Sequence, residues 1–406
     1  VKPLHVWPQE TQVASGQLTF ASRVEDCEPF TLWFRTPEAN AHLLCVRAES
    51  FVAGTVLLAM LRGRDLRVHA ALSPSFLRNV EEFQAIWSCW DARFRRIAIV
   101  ADSESEATRR SGAGSTPGLS EARAITMFSG GVDSCYTVWR HTQHLCGRRV
   151  LPIRSALMVE GFDPGHFENV LARAQKMLRS AGVETIRMAT NFRFVIPLSY
   201  PHRSCGSGLA ACLLLFQQSH THGLIPASDT YATLHFPFGS TALTDPLLGT
   251  GNFAIECDGS QASRLEKLRE IVQWPGVLEN LRVCNQFNQP DRNCGLCEKC
   301  VRNILCLRVL GIHQPPCFPK RVSNRHIRRL RLRANTWRAM NKVLVFAREA
   351  GISQSWVRVL AQTLRREKFY QQLEPARERL KQKLSPKTLA ALRAAKAHRK
   401  RWHRKR

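Results

Sequence analysis

Six consecutive residues, Ser129-Gly130-Gly131-Val132-Asp133-Ser134, carry the clearest chemistry in this chain. They follow an apolar run, Ala124-Ile125-Thr126-Met127-Phe128, and precede Cys135-Tyr136-Thr137-Val138-Trp139-Arg140, which reads as a helix. Strand, glycine turn and helix N-terminus in succession suit the binding of an anion. Two glycines let the backbone bend so that its N–H groups approach one point, and the first helical turn adds unpaired donors and a positive partial charge. Ser129 and Ser134 can donate hydroxyl protons to phosphate oxygens. A carboxylate at Asp133 repels phosphate unless a cation screens it, so Asp133 is expected to hold Mg2+ or to orient the loop. The Walker A pattern is excluded, because no lysine follows the last glycine.

A second cluster lies about 150 residues downstream. Cys294, Cys297 and Cys300 stand at CxxCxxC spacing, with Cys284 ten residues upstream of the first. Such spacing places four sulfurs around one ion, and Gly295 permits the tight turn it needs. Four thiolates favour Zn2+ in a closed tetrahedral site, which is structural. An iron–sulfur cluster also takes four cysteines. Disulfides would need comfortable geometry, and two of these spacings are too short for it.

The loop matches the PP-loop of the ATP pyrophosphatase superfamily at every position. Followed by Cys-x9-Cys-Gly-x-Cys-x2-Cys, it is similar to the 7-cyano-7-deazaguanine synthase family of queuosine biosynthesis, over about residues 122–312. The resemblance implies an α/β, adenine-nucleotide alpha-hydrolase-like (Rossmann-like) fold with a mostly parallel sheet and the nucleotide at the strands' carboxyl ends. It also implies a reaction. ATP is cleaved between its α and β phosphates, a carboxylate takes the AMP, ammonia displaces it to give an amide, and a second ATP drives dehydration to a nitrile. Mg2+ accompanies ATP in that family and the zinc is structural. By the same resemblance Ser129, Asp133 and Ser134 are the catalytic residues, and Ser129–Ser134 hold the triphosphate. Phe238-Gly239-Ser240, with Asp245-Pro246, resembles the family's later substrate or phosphate loop. Cys205 stands before Gly206 where relatives often carry a histidine, and this departure removes support for a histidine-based role there.

The elements around the loop are legible. Leu151 to Val159, Glu184 to Ala189 and Leu224 to Ser228 read as strands. Residues 166–181 read as a helix with Val170, Leu171, Ala174 and Leu178 on one face, and Gly206 to Gln217 as an apolar helix. Strands alternating with helices argue for βαβ units. Asp163 follows a strand, where it either contacts ribose, base or metal or is a solvated loop acid. Arg264 and Lys267 share a helix face at i, i+3, a spacing that suits clamping pyrophosphate or a carboxylate, or simply an exposed face. Cys135 lies in the first helical turn, where a helix dipole lowers a thiol pKa; the alternative is plain packing.

At 406 residues the chain suggests two or three domains. Residues 1–101 read as a separate α+β module without a catalytic motif. Its strands are expected at 18–20, 30–34, 66–70 and 96–101, and its helices at 50–62 and 74–90. Residues 102–120 read as a linker, 121–318 as the ATP-binding domain with the cysteine knuckle, and 319–406 as a basic helical extension. From Lys320 to Arg406 there are 27 Lys and Arg against four acids, so this segment carries +23 of the chain's +27. Glycine at 351 ends one of its helices, and Ser385-Pro386 opens another. Such a segment suits nucleic acid or an acidic partner protein. The longest mainly apolar run, Phe51 to Leu61, is too short to span a bilayer, so no membrane association is expected. No basic-apolar-small leader opens the chain, and its fourteen cysteines read as reduced thiols in a cytoplasm. Three functions remain: an ATP-dependent C–N ligase acting on a small carboxylate with ammonia, a tRNA- or other macromolecule-modifying PP-loop enzyme, and a nucleotide-binding interaction module.

Overall fold

The computed structural model describes residues 2–107, 123–162, 167–198, 203–234, 236–284 and 293–382, without the side chains of 335 and 374–382. It divides into a larger unit, residues 1–293 with 315–317, and a smaller one, 294–314 with 318–406.

The larger unit is built on eleven strands in one sheet: β1 (Leu4–Pro8), β2 (Gln12–Ala14), β3 (Gln17–Glu25), β4 (Phe30–Pro37), β5 (Leu66–Leu72), β6 (Ile99–Glu104), β7 (Ala124–Met127), β8 (Ile153–Glu160), β9 (Glu184–Thr190), β10 (His222–Pro226) and β11 (Ala254–Asp258). Its helices are α1 (Glu49–Arg62), α2 (Pro74–Trp90), α3 (Val132–Thr142), α4 (Phe167–Ser180), α5 (Phe192–Val195), α6 (Cys205–Leu214), α7 (Arg264–Ile271) and α8 (Val277–Asn280).

One half of the sheet is parallel and runs β11-β10-β7-β8-β9. Counted along the chain from β7, this is the doubly wound order 3-2-1-4-5. The strand order reverses between β7 and β10, the place where open sheets of this order bind ligands beyond the strands' carboxyl ends. β7 is buried along its whole length, as a strand covered on both faces must be. The Ser129–Ser134 loop leaves its carboxyl end and enters α3.

The other half runs β9-β4-β3-β1-β5-β6. β4 and β3 alternate buried and less buried residues, the signature of a sheet with one packed face. The sequence reading takes residues 1–101 as a separate module; the structure instead makes them part of the same sheet. β4 pairs antiparallel with β9 through Phe34 opposite Thr190 and Arg35 opposite Ala189. Thr36 Oγ1 also donates to the carbonyl of Arg187 (2.7 Å), and one hydrophobic core runs from Leu4 to Ile255. Small residues let α1 pack on α6 and its surroundings: a side chain at Gly54 or Gly208 would strike Phe192 or its neighbour Leu32.

The last expected strand of that segment is displaced, to Ile99–Glu104. The N–H groups of Ile97 and Ala98 bind Gln84 Oε1 and Asp65 Oδ1 (2.8 Å each) and are lost to the ladder. The expected linker therefore begins inside β6, and its residues 108–120 lie outside the described residues, as does Asp163. β1, β2 and β11 are strands the sequence reading does not contain.

The smaller unit is helical, with α9 (Glu298–Val309), α10 (Asn324–Arg328), α11 (Ala334–Glu349) and α12 (Ser355–Gln382). α11 ends where expected, with Gly351 in the left-handed region (φ +66°). The expected start at Ser385-Pro386 lies outside the described residues. Among the described residues no helix is long and apolar enough to cross a membrane.

Candidate functional site

Gly130 takes φ +70°, where a glycine pays no steric penalty, and Gly131 caps α3. A β-carbon at Gly131 would lie 3.2 Å from Ser129 Oγ and 3.4 Å from the Arg282 carbonyl. The loop is braced from within. Ser134 Oγ donates to the Gly131 carbonyl (3.1 Å) and accepts from the Ser129 N–H (3.2 Å), and Gly131 N–H donates to Ser129 Oγ (3.3 Å). It is braced from outside by the Arg282 N–H, which donates to the Gly130 carbonyl (2.9 Å). The first intrahelical bond runs from Cys135 N–H to the Gly131 carbonyl, so the N–H groups of Val132, Asp133 and Ser134 have no acceptor within the helix. They form a donor cradle at the sheet's switch point. Ser129 is exposed; Ser134 is buried and serves the loop's own geometry.

Asp133 is engaged by two cations. Its carboxylate accepts from Arg264 Nη2 and Lys267 Nζ, both at 3.0 Å. Burial opposes its ionisation, but Arg264 and Lys267 together hold its pKa below the usual carboxylate value. Helix α7 is started by a capping box between Ser263 and Glu266, which fixes the turn carrying both bases. Their face is directed at Asp133 and not at solvent: Lys267 is only 2% exposed. Lys267 Nζ also donates to the Ala227 carbonyl at the end of β10 (2.6 Å) and sits 5.7 Å from the Tyr136 ring centre. Three cation and carboxylate groups thus gather beside the cradle, with two positive charges to one negative.

Sequence reasoning did not find Asp258, at the carboxyl end of β11. It is buried and accepts from Thr137 Oγ1 (2.7 Å), with His141 Nε2 at 3.3 Å and Arg140 Nη1 at 3.2 Å. Burial opposes its charge, yet His141 and Arg140 keep its pKa low. This network ties α3 to the neighbouring strand and so fixes the direction of the cradle. Tyr136, Ala227 and Arg282 were also missed. Two of the three act through the backbone, which leaves no mark on residue type.

Cys135 is fully buried, and burial with the nearby Asp133 charge pushes its thiol up, so packing decides its role over the helix dipole. Cys205 is buried and pushed up likewise. It opens α6 against the loop at 239–245, where Gly206 N–H donates to the Gly239 carbonyl (2.7 Å). In that loop Asp245 is fully buried and accepts from Ser240 Oγ (2.6 Å) and Thr241 N–H (3.2 Å). Burial outweighs these bonds and raises its pKa to about 7 from 3.8.

The proton bound there contributes stability below pH 4 that is lost as the pH rises through about 7. Asp245→Asn removes this dependence. Its thermal midpoint is expected to fall less than the wild type's between pH 5 and pH 8.5. Parallel melting curves for the two proteins would contradict the assignment.

Cys284, Cys294, Cys297 and Cys300 come together, with all four sulfurs within 4.8 Å of one another. Cys294 Sγ and Cys300 Sγ are 3.9 Å apart. A tetrahedral ion with bonds of about 2.3 Å places sulfurs roughly 3.8 Å apart, so the donor set fits one metal ion. The knuckle is shaped by Gly295 at φ +73°. Cys297 N–H and Leu296 N–H point at Cys294 Sγ (3.2 and 3.4 Å), and Cys300 N–H points at Cys297 Sγ (3.5 Å). Such donors stabilise thiolates. No disulfide is present among the fourteen cysteines.

The residue before the knuckle, Asn293, is as informative as the cysteines. It is buried, accepts from the N–H groups of Val283 (2.8 Å) and Cys284 (3.1 Å), and donates to the carbonyls of Leu281 (2.8 Å) and Cys317 (2.9 Å). It thereby fixes the segment from Leu281 to Cys284, whose Arg282 braces the glycine loop. The α/β unit, the sheet order and the metal-competent cysteines are what the chain displays. No protein-family model matches this sequence, and no curated protein is significantly similar to it.

Proposed function

We propose that this chain is an ATP-dependent C–N ligase of the 7-cyano-7-deazaguanine synthase type, which adenylates a carboxylate and lets ammonia displace AMP. The observation that carries the reading is the donor cradle of Val132, Asp133 and Ser134 at the switch point of a doubly wound sheet, with Arg264 and Lys267 beside it. Helix N-terminal donors bind phosphate oxygens, and two nearby cations suit the charge that builds on departing pyrophosphate. Asp133 orients those cations. Mg2+ would then be carried by the phosphates of ATP, since the Asp133 carboxylate is already committed. Catalysis under this scheme is positioning and charge stabilisation: the acid's oxygen is held in line with the α phosphate. The four cysteines hold Zn2+ in a structural role, favoured over a multi-iron core by the close approach of the sulfurs.

The test is product analysis by mass spectrometry after incubation with ATP, Mg2+, ammonium and 7-carboxy-7-deazaguanine. AMP, pyrophosphate and an amide or nitrile are expected. Failure to bind ATP, or to form AMP with any acid tried, would overturn the proposal.

A further inference from the structure

The segment Arg329-Leu330-Arg331-Leu332-Arg333 links α10 to α11; Arg329 closes α10 in the right-handed helical region (φ −87°, ψ −4°), and Arg333 is extended (φ −75°, ψ +166°). Leu330 and Leu332 are buried at 7% and 6% exposure, while Arg329, Arg331 and Arg333 are exposed. Alternating burial along this segment therefore leaves three arginines on its exposed side.

The row is fastened to α12 at regular intervals. Thr363 Oγ1 donates to the Ile327 carbonyl (3.3 Å), and Arg366 donates to the carbonyls of Arg328 (2.5 Å) and Leu330 (2.9 Å). Glu367, itself buried, accepts from Leu332 N–H (2.9 Å) and Arg331 Nη1 (3.0 Å), and Gln371 Nε2 donates to the Leu332 carbonyl (2.9 Å). A segment held by four side chains of one helix is a built surface.

Two large exposed aromatic side chains lie together on α12, their ring centres 6.3 Å apart, and one of them, Tyr370, adjoins the segment. Phe369 is 58% exposed and Tyr370 42% exposed, with the Arg331 guanidinium 5.8 Å from the Tyr370 ring centre. Around them the charge is one-sided: residues 320–373 contain fourteen Lys and Arg and two acids, Glu349 and the buried Glu367. An acidic protein would satisfy the cations alone, and anionic lipid headgroups, which basic clusters also bind, are set against the strand as a competitor in the test. Single-stranded nucleic acid uses both halves of this surface, phosphates on the cations and bases on the rings.

We propose that Arg329, Arg331 and Arg333, with Phe369 and Tyr370, form a binding surface for single-stranded nucleic acid. It is independent of the chemistry assigned to the glycine loop. The test uses the full chain and labelled single strands of about 20 nucleotides, RNA and DNA in separate arms, read by fluorescence anisotropy over a salt series. Arg329→Gln with Arg333→Gln is expected to weaken binding at least tenfold at low salt. It should also make the slope of log affinity against log salt shallower by about 1.4, two contacts at roughly 0.7 each. Phe369→Ala with Tyr370→Ala is expected to weaken binding by about tenfold with the slope unchanged. A duplex of equal length, polyglutamate and phosphatidylserine vesicles serve as competitors and should displace the strand poorly. Wild-type affinity in both variants, or preference for any of the three competitors, would overturn the proposal.

Discussion

Cys300→Ala is expected to abolish binding of the metal proposed for the cysteine cluster and to cost on the order of 10 kcal/mol of folding free energy, the scale of a structural zinc site at neutral pH. The physical reason is local. The knuckle has few apolar contacts of its own: Cys294 and Cys297 are only half-buried, and Gly295 sits in the left-handed region. An ion would bind all four sulfurs at once, whereas thiols within 4.8 Å offer one another weak contacts such as that of Cys294 with Cys300 at 3.9 Å. Elemental analysis of the wild type should give one zinc per chain, and the variant none, with a thermal midpoint lower by ten degrees or more. A stable variant, or a stable wild type without metal, would refute the structural-metal assignment. Visible absorption with stoichiometric iron would replace zinc while leaving the site. A second readout is the glycine loop. Cys284 lies two residues from Arg282, whose N–H holds the Gly130 carbonyl at 2.9 Å, so metal loss should also weaken ATP binding.

The second large effect concerns Asp133. From sequence, an alanine there would simply remove catalysis. The structure gives a different expectation, because Lys267 is 2% exposed and Asp133 is its ion-pair partner at 3.0 Å. Asp133→Ala leaves that ammonium buried with only the Ala227 carbonyl and the Tyr136 ring for company. Breaking a buried pair from one side costs about 3–5 kcal/mol. Lys267→Met in the same protein removes the stranded charge and should return most of the lost stability. Turnover should not return, since one of the cations proposed to meet pyrophosphate is gone. AMP formation is expected to fall by about a hundredfold or more in both the single and the double variant. Equal stability of Asp133→Ala and wild type would show that the pair is not holding the site together. Full activity in the double variant would exclude Lys267 from catalysis.

The same two residues show how far a linear reading reaches. Arg264 and Lys267 could be placed on one helix face from their spacing, but the spacing gives no partner. Their partner is 134 residues away in the chain for Lys267, and the contact exists because α3 and α7 pack side by side. Asp258, similarly, has no signal of its own in the sequence; only the pairing of β11 with β10 puts it under α3.

The chain's own order of residues determined the glycine loop, the helix that follows it, the four-cysteine spacing and the basic extension. These are local properties, set by backbone sterics at glycine, by periodicity and by charge. Tertiary structure alone decided that residues 1–101 join the same sheet, because the β4 and β9 edges satisfy each other's hydrogen bonds and such pairing has no sequence-local signal. It also decided which charges meet. Burial removes solvent as an alternative partner, and so Asp133 is committed to two cations, Asp245 is pushed toward its protonated form, and Asn293 spends every polar atom on the backbone beside the cysteines.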